Sequence, residues 1–254
     1  MDARCLDYLL TETEKLEFKE NGFLIVENAL PPDLVAALSA LTDRTDAQSR
    51  PARKLDSHAV ELKRAVVPHI GDDVHAWQLG AHDPLLVIDV IGKDELLLEL
   101  LDWHKTFPKV WGILGWNIQL YHSHLNITPA LAPDANRTKK RLGWHQDSGR
   151  LNIEFESNPR PRVSLKIAFF LTDTTDLDRG NFYVIPGSHL QNKIQFPEDV
   201  VSYPEGATPI RVKPGQPCSL IGGCGTQPVR TILMLLERSC STATAIGGCA
   251  PETT

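Results

Sequence analysis

The stretch VSLKIAFFLTDTTDLDRGNFYVIPGSH, residues 163–189, contains two strand patterns and two turns. From Val163 to Leu171 every second residue is a large apolar one, which predicts a strand with two distinct faces. The residues from Asp178 to Asn181 have turn chemistry, and a second apolar strand follows from Phe182 to Ile185. A further turn is predicted at Pro186-Gly187-Ser188. Short strands separated by such turns predict antiparallel β structure.

The β pattern begins after Pro108 and occupies residues 108–215. Its first strand is predicted from Trp116 to Leu125, because the side chains alternate there. This alternation places Ile118, Leu120 and His122 on one face and Asn117, Gln119 and Tyr121 on the other. Helices followed by strands with Gly/Pro turns predict a mainly β fold, a double-sheet jelly roll with flanking helices.

Residues 1–107 are predicted to be mainly helical. Thr11 to Glu14 matches a capping box at a helix start, and Asn21-Gly22 supplies a left-handed stop. A short strand is predicted from Phe23 to Val26, and a second helix begins at Pro31-Pro32-Asp33. Residues 43–64 are polar and predicted to form a surface connection. Two further helices are predicted, one from Asp83-Pro84 through Leu85, Leu86 and Ile88, the other over Leu96 to Leu101.

The composition indicates one large globular domain. The chain has 254 residues, 42% of them hydrophobic and 23% charged, with a formal net charge of −6. This mild acidity argues against a nucleic-acid partner. No apolar run approaches the roughly 18 residues of a membrane-spanning helix, and the acidic N-terminus predicts no secretory signal. We therefore expect a cytoplasmic protein without a membrane partner, and the sequence does not indicate its oligomeric state.

The residues from 216 to 254 differ in composition from the rest of the chain. Four of the five cysteines lie there, whereas this segment has no aromatic residue, histidine, lysine or aspartate. The cysteines show no C-x-x-C pairing, so their spacing does not predict a zinc site. A disulfide framework is not expected in a cytoplasmic chain. The segment is therefore interpreted as an aberrant tail.

The sequence Trp144-His145-Gln146-Asp147 is the sharpest candidate for a chemical site. On an extended segment His145 and Asp147 point to the same side, so both can reach one metal ion. Imidazole plus carboxylate suits ferrous iron, and a distant second histidine would complete a facial triad with open positions. The spacing alone is equally compatible with a surface turn in which the two side chains bond each other.

Four motifs occur in the order found in the phytanoyl-CoA dioxygenase family. The chain resembles this family from about residue 10 to Gly215 through F-x-x-x-G-F-L-I-V, W-H-Q-D, F-F-L-T-D and G-N-F-Y-V-I-P-G-S-H, which begin at residues 18, 144, 169 and 180. The resemblance implies a double-stranded β-helix and an oxygenase that uses Fe(II) and 2-oxoglutarate. It also implies that His145 and Asp147 bind the iron. The carboxylate of Asp147 implies hydroxylation, since halogenating relatives carry a small residue there.

The resemblance suggests two contacts to 2-oxoglutarate. Gln119 lies on the strand before H-x-D, where the family often has a polar cosubstrate contact. Lys166 lies in the middle of a strand and could reach a carboxylate from the inner face, although an outward lysine on an edge strand fits the pattern equally well. The histidine of P-G-S-H, His189, is expected to close a turn and not to bind metal. Trp144 is expected to pack.

The family also needs a late histidine and, roughly ten residues on, an arginine for the distal carboxylate of 2-oxoglutarate. Neither occurs after Gly215. A reading frame shifted near Gln216 permits a histidine overlapping Thr226 and an arginine overlapping Glu237. A frameshift is therefore our interpretation of the tail; a divergent natural terminus and a gene-model error are the alternatives. On this interpretation the barrel lacks its last strands, and the chain binds iron weakly and turns over poorly.

The predicted function is hydroxylation of a small organic substrate with molecular oxygen, with succinate and carbon dioxide as co-products. One rival is a non-catalytic jelly-roll binding protein. Another is a cupin-like metalloenzyme that uses a different metal with His145, Asp147 and His189. Neither the substrate nor the pathway follows from the sequence.

Overall fold

In the computed structural model, the described residues are 2–52, 85–130, 144, 164–177, 179–192, 194–195, 202–220, 224–226 and 231–240. The helices are a 3₁₀ helix at Ala3–Tyr8, α1 at Glu12–Asn21, α2 at Pro32–Ala52, α3 at Glu95–Glu99 and α4 at Phe107–Leu114, with a second 3₁₀ helix at Ser188–Leu190. The strands are β1 at Phe23–Ile25, β2 at Leu85–Ile88, β3 at Ile118–Thr128, β4 at Ser164–Phe170, β5 at Phe182–Val184, β6 at Thr208–Pro209, β7 at Pro217–Leu220, β8 at Cys224–Thr226 and β9 at Thr231–Cys240. No helix within these residues is long and apolar enough to cross a bilayer.

Helix α1 begins and ends at the predicted residues. The Thr11 hydroxyl accepts a hydrogen bond from the Glu14 amide at 3.2 Å, and the Glu14 carboxylate accepts one from the Thr11 amide at 2.8 Å. These two bonds satisfy amide groups that have no partner within the helix. Gly22 ends the helix at φ +81°, a left-handed conformation that glycine adopts without steric cost.

Helix α2 continues to Ala52, beyond the predicted start of a surface connection at residue 43. Its polar residues are held by contacts one turn apart. The hydroxyls of Thr42 and Thr45 donate to the carbonyls four residues before them, at 2.8 and 2.9 Å. Arg50 pairs with Asp46 at 2.8 Å. Such local contacts allow a helix to continue without an apolar stripe along its whole length.

The predicted helix over residues 85–88 is wrong, because these residues form strand β2. Leu85 and Val87 are buried, whereas Leu86 and Ile88 are exposed, which is the two-residue period of a strand. The strand pairs with β3 in antiparallel register. Asp89 then adopts a positive φ of +53° and ends the strand.

The strands form two antiparallel sheets. The larger has six strands in the order β1-β7-β4-β9-β3-β2, and the smaller has three in the order β6-β5-β8. Two sheets flanked by helices agree with the predicted jelly roll. The predicted loss of the last strands does not hold in these residues, because β7, β8 and β9 all follow Gln216 and β9 lies between β3 and β4. Strands pair through their backbones, so the unusual composition of this segment does not prevent its pairing.

The two faces of the larger sheet pack against different layers. Leu165, Ile167 and Phe169 of β4 join the core formed with the helices, together with Phe18 and Leu38. The alternate residues of β4 face the smaller sheet, where one cluster contains Ala168, Phe170, Phe182, Val184, Ile210 and Val212. We call this side of the larger sheet the inner face. In jelly rolls, the space between the two sheets is where a ligand can be enclosed.

Candidate functional site

Lys166 lies on the inner face, in the middle of β4. It precedes Ala168 by two residues and therefore shares its face. Only 7% of Lys166 is exposed. Because β4 lies between β7 and β9, the alternative of an outward lysine on an edge strand is excluded. Of the two positions that the sequence left open for Lys166, the structure has the inward one; its role toward 2-oxoglutarate stays a prediction.

A bulge in β3 changes which residues share the inner face. Leu120 is opposite Arg238, but the next pair in the register is His122 with Glu237, so Tyr121 is an extra residue. The predicted strict alternation, with His122 on the face of Leu120, is therefore wrong. Leu120 packs against the helix-side core, whereas His122 lies on the inner face, and its ring centroid is 4.9 Å from that of His124.

Three residues on neighbouring strands are paired in register across the larger sheet. Glu237 of β9 is directly opposite Lys166 on one side and opposite His122 on the other. Neighbouring strands lie about 5 Å apart, so β3 and β4 are about 10 Å apart across β9. The Asp89 carboxylate lies 4.0 Å from Nδ1 of His122. The position at which the shifted reading has an arginine is thus paired in register with Lys166 and His122, and it carries a glutamate in this chain.

Gln119 lies at one end of the inner face. It is opposite Ser239 of β9, which is in turn opposite Ser164 of β4. Gln119 is exposed, whereas Lys166 is buried further along the sheet. The two residues predicted to contact 2-oxoglutarate therefore share a face, at different depths, and their role as contacts stays a prediction.

The predicted metal ligands His145 and Asp147 lie outside the described residues. Trp144, immediately before them, is described and half-buried. Its ring centroid lies 6.4 Å from that of Tyr183 and 6.5 Å from that of Tyr203, so it packs as predicted. Within the described part of the chain, no group of three or more His, Cys, Asp and Glu residues could hold a metal ion.

His189 contacts helix α1. Its Nε2 lies 3.1 Å from the carbonyl oxygen of Lys19, to which the ring N–H donates, and its ring lies against the Cα of Gly22. The amide of Gly187 donates to the carbonyl of Asn21 at 2.9 Å. These contacts agree with the expected role of His189 in a turn, and they remove support from the cupin-like rival that needs it as a metal ligand.

Two features of the site were missed by sequence reasoning. His124 lies on the inner face and is 7% exposed. A strict alternation of side chains would put His124 on the face of Leu120, and only the bulge at Tyr121 moves it to the inner face. The packing of Trp144 against Tyr183 and Tyr203 joins residues far apart in sequence, for which the sequence offers no local signal.

The turn before β5 is held in place by Asn181, whose side-chain amide donates a hydrogen bond to the Thr174 carbonyl at 2.7 Å.

The sequence matches the profile of the phytanoyl-CoA dioxygenase (PhyH) family over residues 18–218, and the chain belongs to this family. The family is one of iron- and 2-oxoglutarate-dependent oxygenases, and the chain is classed among them on that basis. A comparison of the sequence with curated proteins finds no match.

Solved structures of oxygenases share the fold. EctD from S. alaskensis, in a structure with 2-oxoglutarate and 5-hydroxyectoine, has a TM-score of 0.62 at 18% identity, covering 91% of this chain and 76% of that one. HygX from Streptomyces hygroscopicus, with nickel and 2-oxoglutarate bound, has a TM-score of 0.61 at 16% identity, covering 91% and 87%. SnoK, a non-heme alpha ketoglutarate-dependent carbocyclase from nogalamycin biosynthesis, has a TM-score of 0.62 at 14% identity, covering 91% and 84%.

Proposed function

We propose that this chain is an oxygenase that uses ferrous iron and 2-oxoglutarate to hydroxylate a small organic substrate. The observation that carries the proposal is the buried Lys166 on the inner face of a chain that belongs to this family. A carboxylate of 2-oxoglutarate matches an ammonium group in charge and in hydrogen-bonding capacity.

The predicted metal ligands have the donor chemistry that suits ferrous iron. The imidazole of His145 and the carboxylate of Asp147 would occupy two positions of a facial set and leave others open. Bound there with 2-oxoglutarate, iron supplies the activation of oxygen, with hydroxylated substrate, succinate and carbon dioxide as products. Because Asp147 keeps its carboxylate, hydroxylation is favoured over halogenation.

The protein's own residues bind and orient the cosubstrate in this proposal. Lys166 would hold a carboxylate by a charged hydrogen bond, and the amide of Gln119 offers both donors and an acceptor at the exposed end. Ala168 and Phe170 of the inner face pack with Phe182 of the smaller sheet in the neighbouring buried cluster and exclude water there. Without water, the attraction between Lys166 and a carboxylate is stronger than it is in bulk solvent.

The residues at positions 226 and 237 bear on the activity of the chain as written. Position 237, which pairs in register with Lys166, carries a glutamate in this chain and not the arginine of the shifted reading. A glutamate cannot form the paired hydrogen bonds that an arginine forms with a carboxylate. Thr226 supplies no imidazole for a third metal ligand. We therefore expect weak binding of iron and 2-oxoglutarate by this chain, and tighter binding by the double variant Thr226→His, Glu237→Arg.

The proposal is tested by titrating the iron-loaded chain with 2-oxoglutarate in the absence of oxygen. Binding is followed by the charge-transfer absorption of the iron complex, and succinate is then measured after oxygen is admitted. Replacing Lys166 by Met in the double variant should weaken 2-oxoglutarate binding roughly 10- to 150-fold, the range expected for a hydrogen bond to a charged group. Lys213→Met, at an exposed lysine, is the matched control and should leave the affinity unchanged.

Two results would contradict the proposal. An unchanged affinity in Lys166→Met would remove Lys166 from the cosubstrate site. If neither the chain as written nor the double variant binds iron or 2-oxoglutarate, the chain is not an oxygenase and the non-catalytic jelly-roll alternative is favoured.

A further inference from the structure

A cavity of about 430 Å³ lies on the helix side of the larger sheet, between α2 and the loop that joins β2 to α3. It is separate from the inner face, because Leu125 of β3 lines it and packs in the helix-side core. Side chains in protein interiors pack closely and leave few voids larger than a water molecule. A cavity of this volume falls in the range of sites that hold small molecules. We call it the helix-side cavity.

The floor of the helix-side cavity is apolar. Val90, Leu97 and Leu125 line it, and each of them is buried and belongs to the helix-side core. Leu41 of α2 lines the cavity as well and is half-buried. Such a floor favours the hydrocarbon part of a ligand, because apolar surface gains free energy when it leaves water.

Two cations from different elements border the mouth of the cavity. Arg44 lies on α2 and Lys93 on the loop before α3, and both are exposed. Among the residues that the structure describes, neither forms an ion pair. The Lys93 ammonium group donates one hydrogen bond, to the Ile88 carbonyl at 3.4 Å, and has two further N–H groups. An arginine and a lysine without carboxylate partners favour an anion at this mouth.

The other polar side chains of the cavity are engaged within the fold. Asp94 lines the cavity, but its Oδ1 accepts a hydrogen bond from the Leu96 amide at 3.0 Å and caps α3. On the α2 wall, the hydroxyls of Thr42 and Thr45 donate to carbonyls of their own helix. The two cations are therefore the charged groups that are available to a ligand.

We propose that the helix-side cavity binds a monocarboxylic acid with a hydrocarbon body. Its carboxylate lies between Arg44 and Lys93, and its hydrocarbon chain lies on the apolar floor. The guanidinium of Arg44 can hold a carboxylate through two parallel hydrogen bonds, and Lys93 adds a second positive charge. Because the cavity and the inner face lie on opposite sides of the larger sheet, this inference does not depend on the proposed oxygenase function.

The test is calorimetric titration of the full chain with butanoate, hexanoate and octanoate. Burial of each additional methylene should raise the affinity roughly fourfold, until the chain fills the floor. The double variant Arg44→Gln, Lys93→Gln should weaken octanoate binding roughly 4- to 25-fold, since each exposed charged contact contributes about 2- to 5-fold. Octanol has the same chain and no charge, so it should bind more weakly than octanoate to the parent and equally to the parent and the variant.

The matched control is the double variant Arg211→Gln, Lys213→Gln, which removes the same two charges at exposed positions between β6 and β7. It should bind octanoate as the parent does. An excess of 2-oxoglutarate should not displace octanoate from the parent. Octanoate should also slow hydrogen exchange in peptides that cover residues 41–49 and 90–97, which line the cavity.

Four results would overturn the inference. If the parent does not bind octanoate, the cavity is not a site for such acids. An equal loss of affinity in the two double variants would show that the overall charge of the protein attracts the anion. Octanol that binds the parent as tightly as octanoate does would remove the role of the two cations. Displacement of octanoate by 2-oxoglutarate would place the acid on the inner face.

Discussion

Replacing Gly22 by Ala tests the contact between the end of α1 and the P-G-S-H turn. Gly22 has φ +81°, and a Cβ built on it would overlap the imidazole of His189, with Cγ only 2.6 Å away and Nδ1 closer still. The substitution therefore has two separate costs. The first is a left-handed backbone for an L-residue, and the second is displacement of the ring that donates to the Lys19 carbonyl.

The sizes of these costs predict that the effects of Gly22→Ala and His189→Ala on the free energy of unfolding are not additive. The left-handed conformation costs about 1–2 kcal/mol and the overlap about 1–3 kcal/mol, so Gly22→Ala should destabilise by about 2–5 kcal/mol. His189→Ala should cost about 1 kcal/mol for its hydrogen bond. In the double variant no ring is left to overlap. Its destabilisation should therefore fall short of the sum of the two single variants by about 1–3 kcal/mol.

The measurement is urea unfolding of the parent, the two single variants and the double variant, compared at constant m value. Gly92→Ala is the matched control, because a Cβ there meets no atom within 4 Å and φ is not positive. The effects of Gly92→Ala and His189→Ala on the free energy of unfolding should add in the double variant. If Gly22→Ala and His189→Ala also add to within about 0.5 kcal/mol, the ring does not press on Gly22 and the reasoning is refuted.

Two further substitutions test the contact between α1 and α4 and the contact between α2 and the turn before β7. Burial alone raises the pKa of Glu14, but hydrogen bonds from Lys109 and Thr11 outweigh it and hold the pKa below its usual value. Glu14 therefore stabilises the fold at pH values above its usual pKa. This stability is lost as the pH falls through the lowered pKa. Glu14→Gln should flatten the acid side of the stability profile measured by urea unfolding from pH 3 to 7, and a profile parallel to that of the parent would contradict this. Gly215 has φ +82°, and its Cβ would lie 2.8 Å from Cγ2 of Val35 and 2.9 Å from the Leu30 carbonyl oxygen. Gly215→Ala should therefore destabilise by about 2–4 kcal/mol, and a change in the free energy of unfolding below about 1 kcal/mol would show that the turn can move away.

The features that the sequence predicted correctly depend on neighbours close along the chain. The capping box of Thr11 and Glu14 and the stop at Gly22 involve residues three or four positions apart, so the local sequence contains all the groups that make them. The alternation around Lys166 likewise reports the two faces of β4. The order of motifs along the chain was sufficient to identify the family, which the profile match over residues 18–218 confirms.

Other features were decided only by distant partners. Residues 85–88 are a strand because β3 provides an edge with which they pair, and β9 occupies the centre of the larger sheet because β3 and β4 both offer backbone groups to it. The bulge at Tyr121 turns His122 to the inner face through the register of β3 with β9. The packing of Trp144 joins it to Tyr183 of the smaller sheet and to Tyr203. Each of these depends on pairing or packing between segments far apart in sequence, and local patterns contain no information on which segment the partner will be.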